Sequence, residues 1–365
     1  MELLVYLQNI RNIDIMGKDN MIYLLTLKFD PFADGHAKFS ASSKATEDVR
    51  NILKEKFFVR ERIFTRRFRN KLIGSVEFVL KFYFLCLSIP KGSVVIVQYP
   101  MVNISVFTKV LFLLKRFTTI AIIHDLQTYR FENQKEKRML EIEALNEFNF
   151  VIVHSTKMQQ QLVCDGVTSK MYVLNIFDYL LHSESRITQK KNSIVFAGAL
   201  HKSDYLQDLH KIGGHENYRF HLYGMVKPNI DYSSFIKYKG AFSPNDVHSI
   251  EGEWGLLWDG NSIYDCTGNF GDYLQLIAPH KFSLYLACGL KTIVWEHSAM
   301  ADIVRKNKLG ITIASLDEIY EKIKELDDSE IVEMERNILE FSEKIRNGFY
   351  FENVMKLIIK DMSII

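Results

Sequence analysis

The residues best suited to chemistry crowd into one stretch, residues 255–289, GLLWDGNSIYDCTGNFGDYLQLIAPHKFSLYLACG. A short apolar run stops at Asp259-Gly260, and a long flexible loop with Asp265, Thr267, Gly268, Asn269, Gly271 and Asp272 follows. Pro279 then opens a helix with His280 and Lys281 in its first turn. Strand, loop and helix start in series form the arrangement with which an open α/β sheet binds ligands. A lysine in a first turn opposes the helix macrodipole. It is favourable there if an anion such as a phosphate shares the site; the alternative is an ordinary solvated lysine.

A second cluster, His124-Asp125, ends the apolar run TIAII at 119–123. Asp125 there is placed to act as a general base or to bind hydroxyls, and His124 to meet a phosphate or a sugar. Equally, Asp125 caps the next segment and His124 is a satisfied core group. The loop after the first strand carries Asp34, Gly35 and His36. With one glycine it is no dinucleotide fingerprint.

The elements that position these residues alternate. Strands are expected over 21–30, 93–98, 119–123, 150–153 and 171–177, then over 193–197, 219–223, 236–239, 255–258, 291–295 and 311–314. Helices fall between most of them, at 40–56, 75–89, 103–117 and 134–146, after Ser155, and after Ser315, where Glu318 completes a capping box. Two more close the chain at 328–345 and 351–362. Such alternation predicts parallel sheets covered on both faces. The expected organisation is an extension at 1–20, a first domain at 21–180, a linker at 181–192, a second domain at 193–345 and a terminal helix at 346–365 packing back toward the first domain. Residues 50–71 carry nine basic residues interleaved with phenylalanines and isoleucines. They read as a helix lying on an anionic membrane surface, or as an exposed helix packed on its own domain.

Bulk properties narrow the classes. Among 365 residues, 47% are apolar and 25% charged, with net charge +2, which removes a strongly basic nucleic-acid binder. Cys86, Cys164, Cys266 and Cys288 form no CxxC pair, so neither a zinc site nor a disulfide framework is expected. The N-terminus lacks the pattern of a signal peptide. The most apolar window, 72–90, is interrupted by Glu77 and Lys81, against a membrane-spanning helix. A cytoplasmic location is the expectation.

The words IHD (123–125), FDYL (177–180), FAGAL (196–200), GLLWDG (255–260), GNFGDYL (268–274), PHKFSLYLACGL (279–290) and KIRNGFYF (344–351), in this order, resemble the bacterial galactofuranosyltransferases of O-antigen synthesis. More distantly the chain is similar to the glucosyltransferases that extend adhesin glycans. The resemblance implies a GT-B fold, two doubly wound Rossmann-like α/β domains facing across a cleft, with C-terminal helices. It implies that the second domain holds the diphosphate of a UDP-sugar through Lys281 and the backbone amides of Phe282, Ser283, Leu284 and Tyr285. Lys202 matches a basic residue near the nucleotide and Tyr223 a strand end near the base, while Gly35 lies in the matching loop of the first domain. Asp259 and Asp272 are candidates for donor-sugar hydroxyls. For the general base of an inverting transfer the order of preference is Asp125, Asp34, His36. No Asp-x-Asp motif follows any strand, so no metal cofactor is expected. The acceptor implied is a lipid-linked oligosaccharide at the inner membrane face, with no nucleic acid and with a homo-oligomer possible. Rival readings are a UDP-glucose-dependent enzyme of the same fold and a non-catalytic partner protein.

Overall fold

The computed structural model describes residues 21–29, 41–68, 70–130, 135–181, 188–227, 229–230 and 234–362. The expected extension at 1–20 and the loop carrying Asp34, Gly35 and His36 lie outside the described residues.

Two six-stranded sheets account for the strands, and every registered pair within them is parallel. The first has the order β2-β1-β3-β4-β5-β6, built from β1 (Ile22–Phe29), β2 (Arg60–Arg66), β3 (Val94–Tyr99), β4 (Thr118–Ile123), β5 (Phe150–Val153) and β6 (Lys170–Val173). The second has the order β12-β11-β10-β7-β8-β9, from β7 (Thr188–Ala197), β8 (Arg219–Tyr223), β9 (Ile236–Gly240), β10 (Glu251–Leu257), β11 (Lys291–Trp295) and β12 (Gly310–Ile313). In each, the strand order reverses beside the strand that comes first in the chain, the switch point where open α/β sheets bind ligands. The apolar runs of β3, β4 and β5 are what burial on both faces selects.

Several elements depart from expectation. Strand β2 occupies the middle of the basic segment 50–71, where a helix was expected. The preceding helix α1 (Ala41–Phe57) ends as Phe58 turns to positive φ (51°). The stretch RERIFTR then pairs in parallel with β1 as an edge strand. Its Phe64 is buried under helix α2 (Lys71–Leu87), 5.6 Å from the Phe78 ring and 6.0 Å from Phe82. Arginines on an edge strand discourage pairing with another chain. The helix expected over 103–117 is a four-residue α turn followed by a 3-10 stretch, Thr108–Arg116. Strand β7 begins at Thr188, inside the segment read as linker. Ser315 caps only a 3-10 turn, and Glu318 reaches the amide of Ala314 rather than that of Ser315.

The halves share a core. One buried cluster runs from Leu24, Ile96, Ile120 and Ile152 of the first sheet, through Ile176, Phe177 and Leu180, to Val195, Leu256 and Ile293 of the second. It includes Met334 and Ile338 of helix α5 (Asp328–Arg346) and Phe351, Val354, Met355 and Ile358 of the terminal helix α6 (Phe349–Met362). That helix sits against the first half. Buried Asp178 accepts the N–H groups of Tyr350 (3.1 Å) and Phe351 (2.8 Å), capping its start. Lys56 pairs with Glu352 at 2.5 Å, and Tyr172 with Asp361 near its end.

Candidate active site

The carboxyl ends of the strands open onto a cleft of about 520 Å³. Its walls are residues 197–203 after β7, 223–226 after β8, Asp259 after β10, and the start of helix α4 (His280–Ala287). The first half contributes Arg130, at the end of helix α3 (Gln127–Arg130), and Tyr179.

Lys281 lines this cleft. Its Nζ lies 2.5 Å from Asp259 Oδ1 and 4.8 Å from the Phe196 ring centroid. Asp259, expected as a sugar ligand, therefore holds the lysine. Helix geometry decides which amides face outward. Pro279 caps the helix with no side-chain hydrogen bond, and Phe282 N–H donates to Pro279 O at 2.9 Å. Ser283, Leu284 and Tyr285 fall where the i→i−4 ladder takes their N–H groups, so the first-turn amides available to an anion are those of His280 and Lys281. Of the four residues from Phe282 to Tyr285, all buried, Leu284 reaches the cleft wall. Tyr285 is a strut: its hydroxyl accepts from Ala197 N–H (3.0 Å) and donates to Leu256 O (3.1 Å), tying β7 to β10.

Lys202 also lines the cleft, its Nζ 5.5 Å from the Phe270 ring centroid. Tyr223 presents ring surface only, because its buried hydroxyl donates to Ser249 O (3.0 Å) and accepts from Glu251 N–H (2.9 Å). Burial pushes that hydroxyl up to about 12. Asp272 is exposed and is not part of the lining. At Gly198 an added Cβ would meet nothing within 4 Å, which leaves open approach to the backbone after β7.

The loop read as flexible is pinned. Trp258 Nε1–H donates to Ser262 O (2.9 Å), Leu316 N–H donates to Ile263 O (2.8 Å), and Ile263 and Cys266 are fully buried. A Cβ on Gly271 would stand 2.1 Å from Cys266 O, so the close approach of the two backbones requires glycine.

After the loop, the chain docks on the strand ends of the first half. The Tyr273 hydroxyl donates to Asp125 Oδ1 (3.0 Å) and accepts from Leu126 N–H (2.7 Å). Ser155 Oγ donates to Leu276 O (2.7 Å), and Ala278 N–H to His154 Nδ1 (3.3 Å). Asp125 also takes Arg130 Nη2 at 2.8 Å, and the guanidinium lies 5.4 and 5.1 Å from the Phe270 and Tyr273 ring centroids. Asp125 is thus engaged by an arginine and a tyrosine and does not line the cleft. His124 is a satisfied group, 2.8 Å from Gln98 Oε1 and stacked on Phe177.

Three histidines surround Phe177: His124 at 5.5 Å, His154 at 4.9 Å and His280 at 6.3 Å between ring centroids. Burial lowers all three, His124 and His280 to about 3 and His154 to about 4. They are neutral at ordinary pH. His154 Nε2 lies 2.9 Å from Ile123 O and its Nδ1 accepts from Ala278, which assigns the proton to Nε2.

Sequence reasoning missed Arg130 and His280 as cleft residues. The signal for Arg130 was a cation in the short segment just after His124-Asp125. Among the described residues, no group of three or more His, Cys, Asp or Glu side chains is arranged to hold a metal.

Two facing parallel α/β sheets with a cation-lined cleft at their carboxyl ends are the architecture of the GT-B fold. An α,α-trehalose-phosphate synthase (UDP-forming) from Burkholderia vietnamiensis superimposes with TM-score 0.58 at 8% identity, over 94% of this chain and 99% of that one. More particularly, the chain belongs to the glucosyltransferase 3-like family, whose N-terminal domain model matches residues 31–176 and whose C-terminal domain model matches residues 194–358. Among relatives it is 29% identical to the β-1,6-galactofuranosyltransferase WbbI of Escherichia coli K12, over 80% of this chain and 86% of that protein. It is 24% identical to glucosyltransferase 3 of Streptococcus gordonii, over 73% and 79%.

Proposed function

We propose that this glycosyltransferase moves a galactofuranosyl residue from UDP-galactofuranose to a lipid-linked oligosaccharide, with inversion and without a metal. The observation that carries the reading is the convergence of Lys281, Lys202 and Arg130 on one cleft with the first turn of α4. The galactofuranosyl donor is supported by the similarity to WbbI.

In this mechanism the donor diphosphate meets the amides of His280 and Lys281 and draws the Lys281 ammonium away from Asp259. Lys202 and Arg130 close on the same charge from either side. An acceptor hydroxyl oxygen attacks the anomeric carbon, the bond from that carbon to the β-phosphate oxygen breaks, and UDP leaves against these fixed positive charges. The hydroxyl proton passes to a base from the first domain. Because Asp125 is engaged by Arg130 and Tyr273, we assign it to positioning the arginine and assign the base to Asp34 or His36. Asp272 is left out of the donor site.

A second reading keeps the fold and exchanges the donor for UDP-glucose, and similarity to glucosyltransferase 3 favours it. The test is UDP release by the purified protein offered each donor with a lipid-linked acceptor. Turnover with UDP-galactofuranose alone is expected, and turnover with UDP-glucose alone would replace the first reading by the second.

A further inference from the structure

Helix α2 carries apolar residues on both sides. Gly74, Phe78, Phe82 and Cys86, four apart, face the core over β2. On the opposite side Leu72, Val76, Leu80 and Phe84, also four apart, are 76%, 54%, 54% and 65% exposed. Ile73 and Leu87 flank that stripe, and Phe112 of the adjoining 3-10 stretch is 63% exposed. One face of one helix thus leaves large apolar side chains in water, as interaction surfaces do.

The charge around this face has one sign. Residues 58–117 hold eleven Lys and Arg but only Glu61 and Glu77 as acids. Both acids are consumed locally. Glu61 pairs with Lys54 on the far side of the sheet, and Glu77 pairs with Lys81 (2.6 Å) while accepting the N–H groups of Arg67 and Phe68. Arg60, Arg67, Lys71, Lys91 and Lys109, on the segments that precede, begin and follow α2, are exposed.

We propose that the outer face of α2, with this fringe of cations, seats the protein flat on an anionic lipid bilayer. An apolar stripe bordered by lysines and arginines matches the acyl boundary and the acidic headgroups together. Crossing is not offered, since no described helix is long and apolar enough to span a membrane. A second copy of the chain is disfavoured as occupant, because a self-complementary contact would bring the cations against themselves. The face lies apart from the donor cleft, so vesicle binding and sugar transfer fail independently.

The experiment is flotation of the full chain with vesicles of phosphatidylcholine alone and of an equimolar mixture with phosphatidylglycerol. Binding is expected to the mixed vesicles and to weaken as salt is raised. Arg67→Gln and Lys71→Gln should each weaken it about fivefold. Leu72→Ser/Leu80→Ser/Phe84→Ser should weaken it by at least about tenfold, with UDP affinity and melting temperature unchanged because all three side chains face solvent. Wild-type protein that leaves the mixed vesicles unbound overturns the proposal. So does a triple variant that binds as well as wild type, or sedimentation showing a dimer that the triple variant dissolves without any vesicle binding.

Discussion

Lys281 and Asp259 form the pair on which the residue scale turns. With Nζ 2.5 Å from Oδ1, the carboxylate stands where an anionic ligand would compete. Lys281→Ala should cost roughly 2 kcal/mol of UDP affinity, about thirtyfold, whereas Asp259→Asn should leave UDP affinity equal or stronger. Calorimetry on both variants separates a ligand-binding lysine from one half of a structural ion pair, since a structural pair would make the two behave alike. The histidines around Phe177 predict a pH effect. Their folded values, about 3 for His124 and His280 and about 4 for His154, lie below the usual 6.5. The unfolded chain therefore binds more protons between those limits, and the stability these neutral rings provide, fully present above about pH 6.5, is lost as pH falls toward about 4. His154→Asn should flatten the fall in melting temperature between about pH 7 and about pH 5, and an unchanged slope would refute the assignment.

At the scale of elements, the contact of residues 273–278 with the first half decides whether the cleft is formed. Tyr273→Phe removes a hydroxyl that serves both Asp125 and Leu126 N–H, and thermal unfolding should show a loss of about 1–3 kcal/mol. Gly255→Ala would set a Cβ 2.3 Å from the Tyr285 ring, whose hydroxyl is fixed at β7 and β10. A loss of about 1–3 kcal/mol from overpacking is expected in the same measurement. Most strands were legible in the sequence because burial on both faces writes itself as unbroken runs such as VVIV and TIAII. Strand β2 was not, because an edge strand beneath a helix needs only Phe64 buried, and its arginines mimic a solvated helix. Lys281 was legible as a cleft residue from its place after strand and loop, and Lys202 only through the family resemblance. The engagement of Asp125 was legible only in its local half, Arg130; its second partner, Tyr273, is 148 positions away and nothing local announces that contact. The commitment of the Ser283–Tyr285 amides followed from helix geometry alone once the first helical residue was known.

At the scale of the whole molecule, the two halves are joined by a shared core. The cluster joining both sheets through Ile176, Phe177 and Leu180 predicts a single unfolding transition, checked by urea titration with near- and far-ultraviolet dichroism; two separated midpoints would show that the halves melt alone. The terminal helix α6 has a consequence for how the protein comes into being. It is translated after every strand of both sheets, yet the carboxylate that caps it is Asp178, and it pairs with Lys56 and Tyr172 of the first half. The nascent first half must therefore emerge from the ribosome with part of its surface bare, and wait for nearly two hundred residues of the second half before that surface is covered. On this view chaperone dependence falls on the interval before α6 arrives, and a chain stalled just short of it is the species most prone to aggregate.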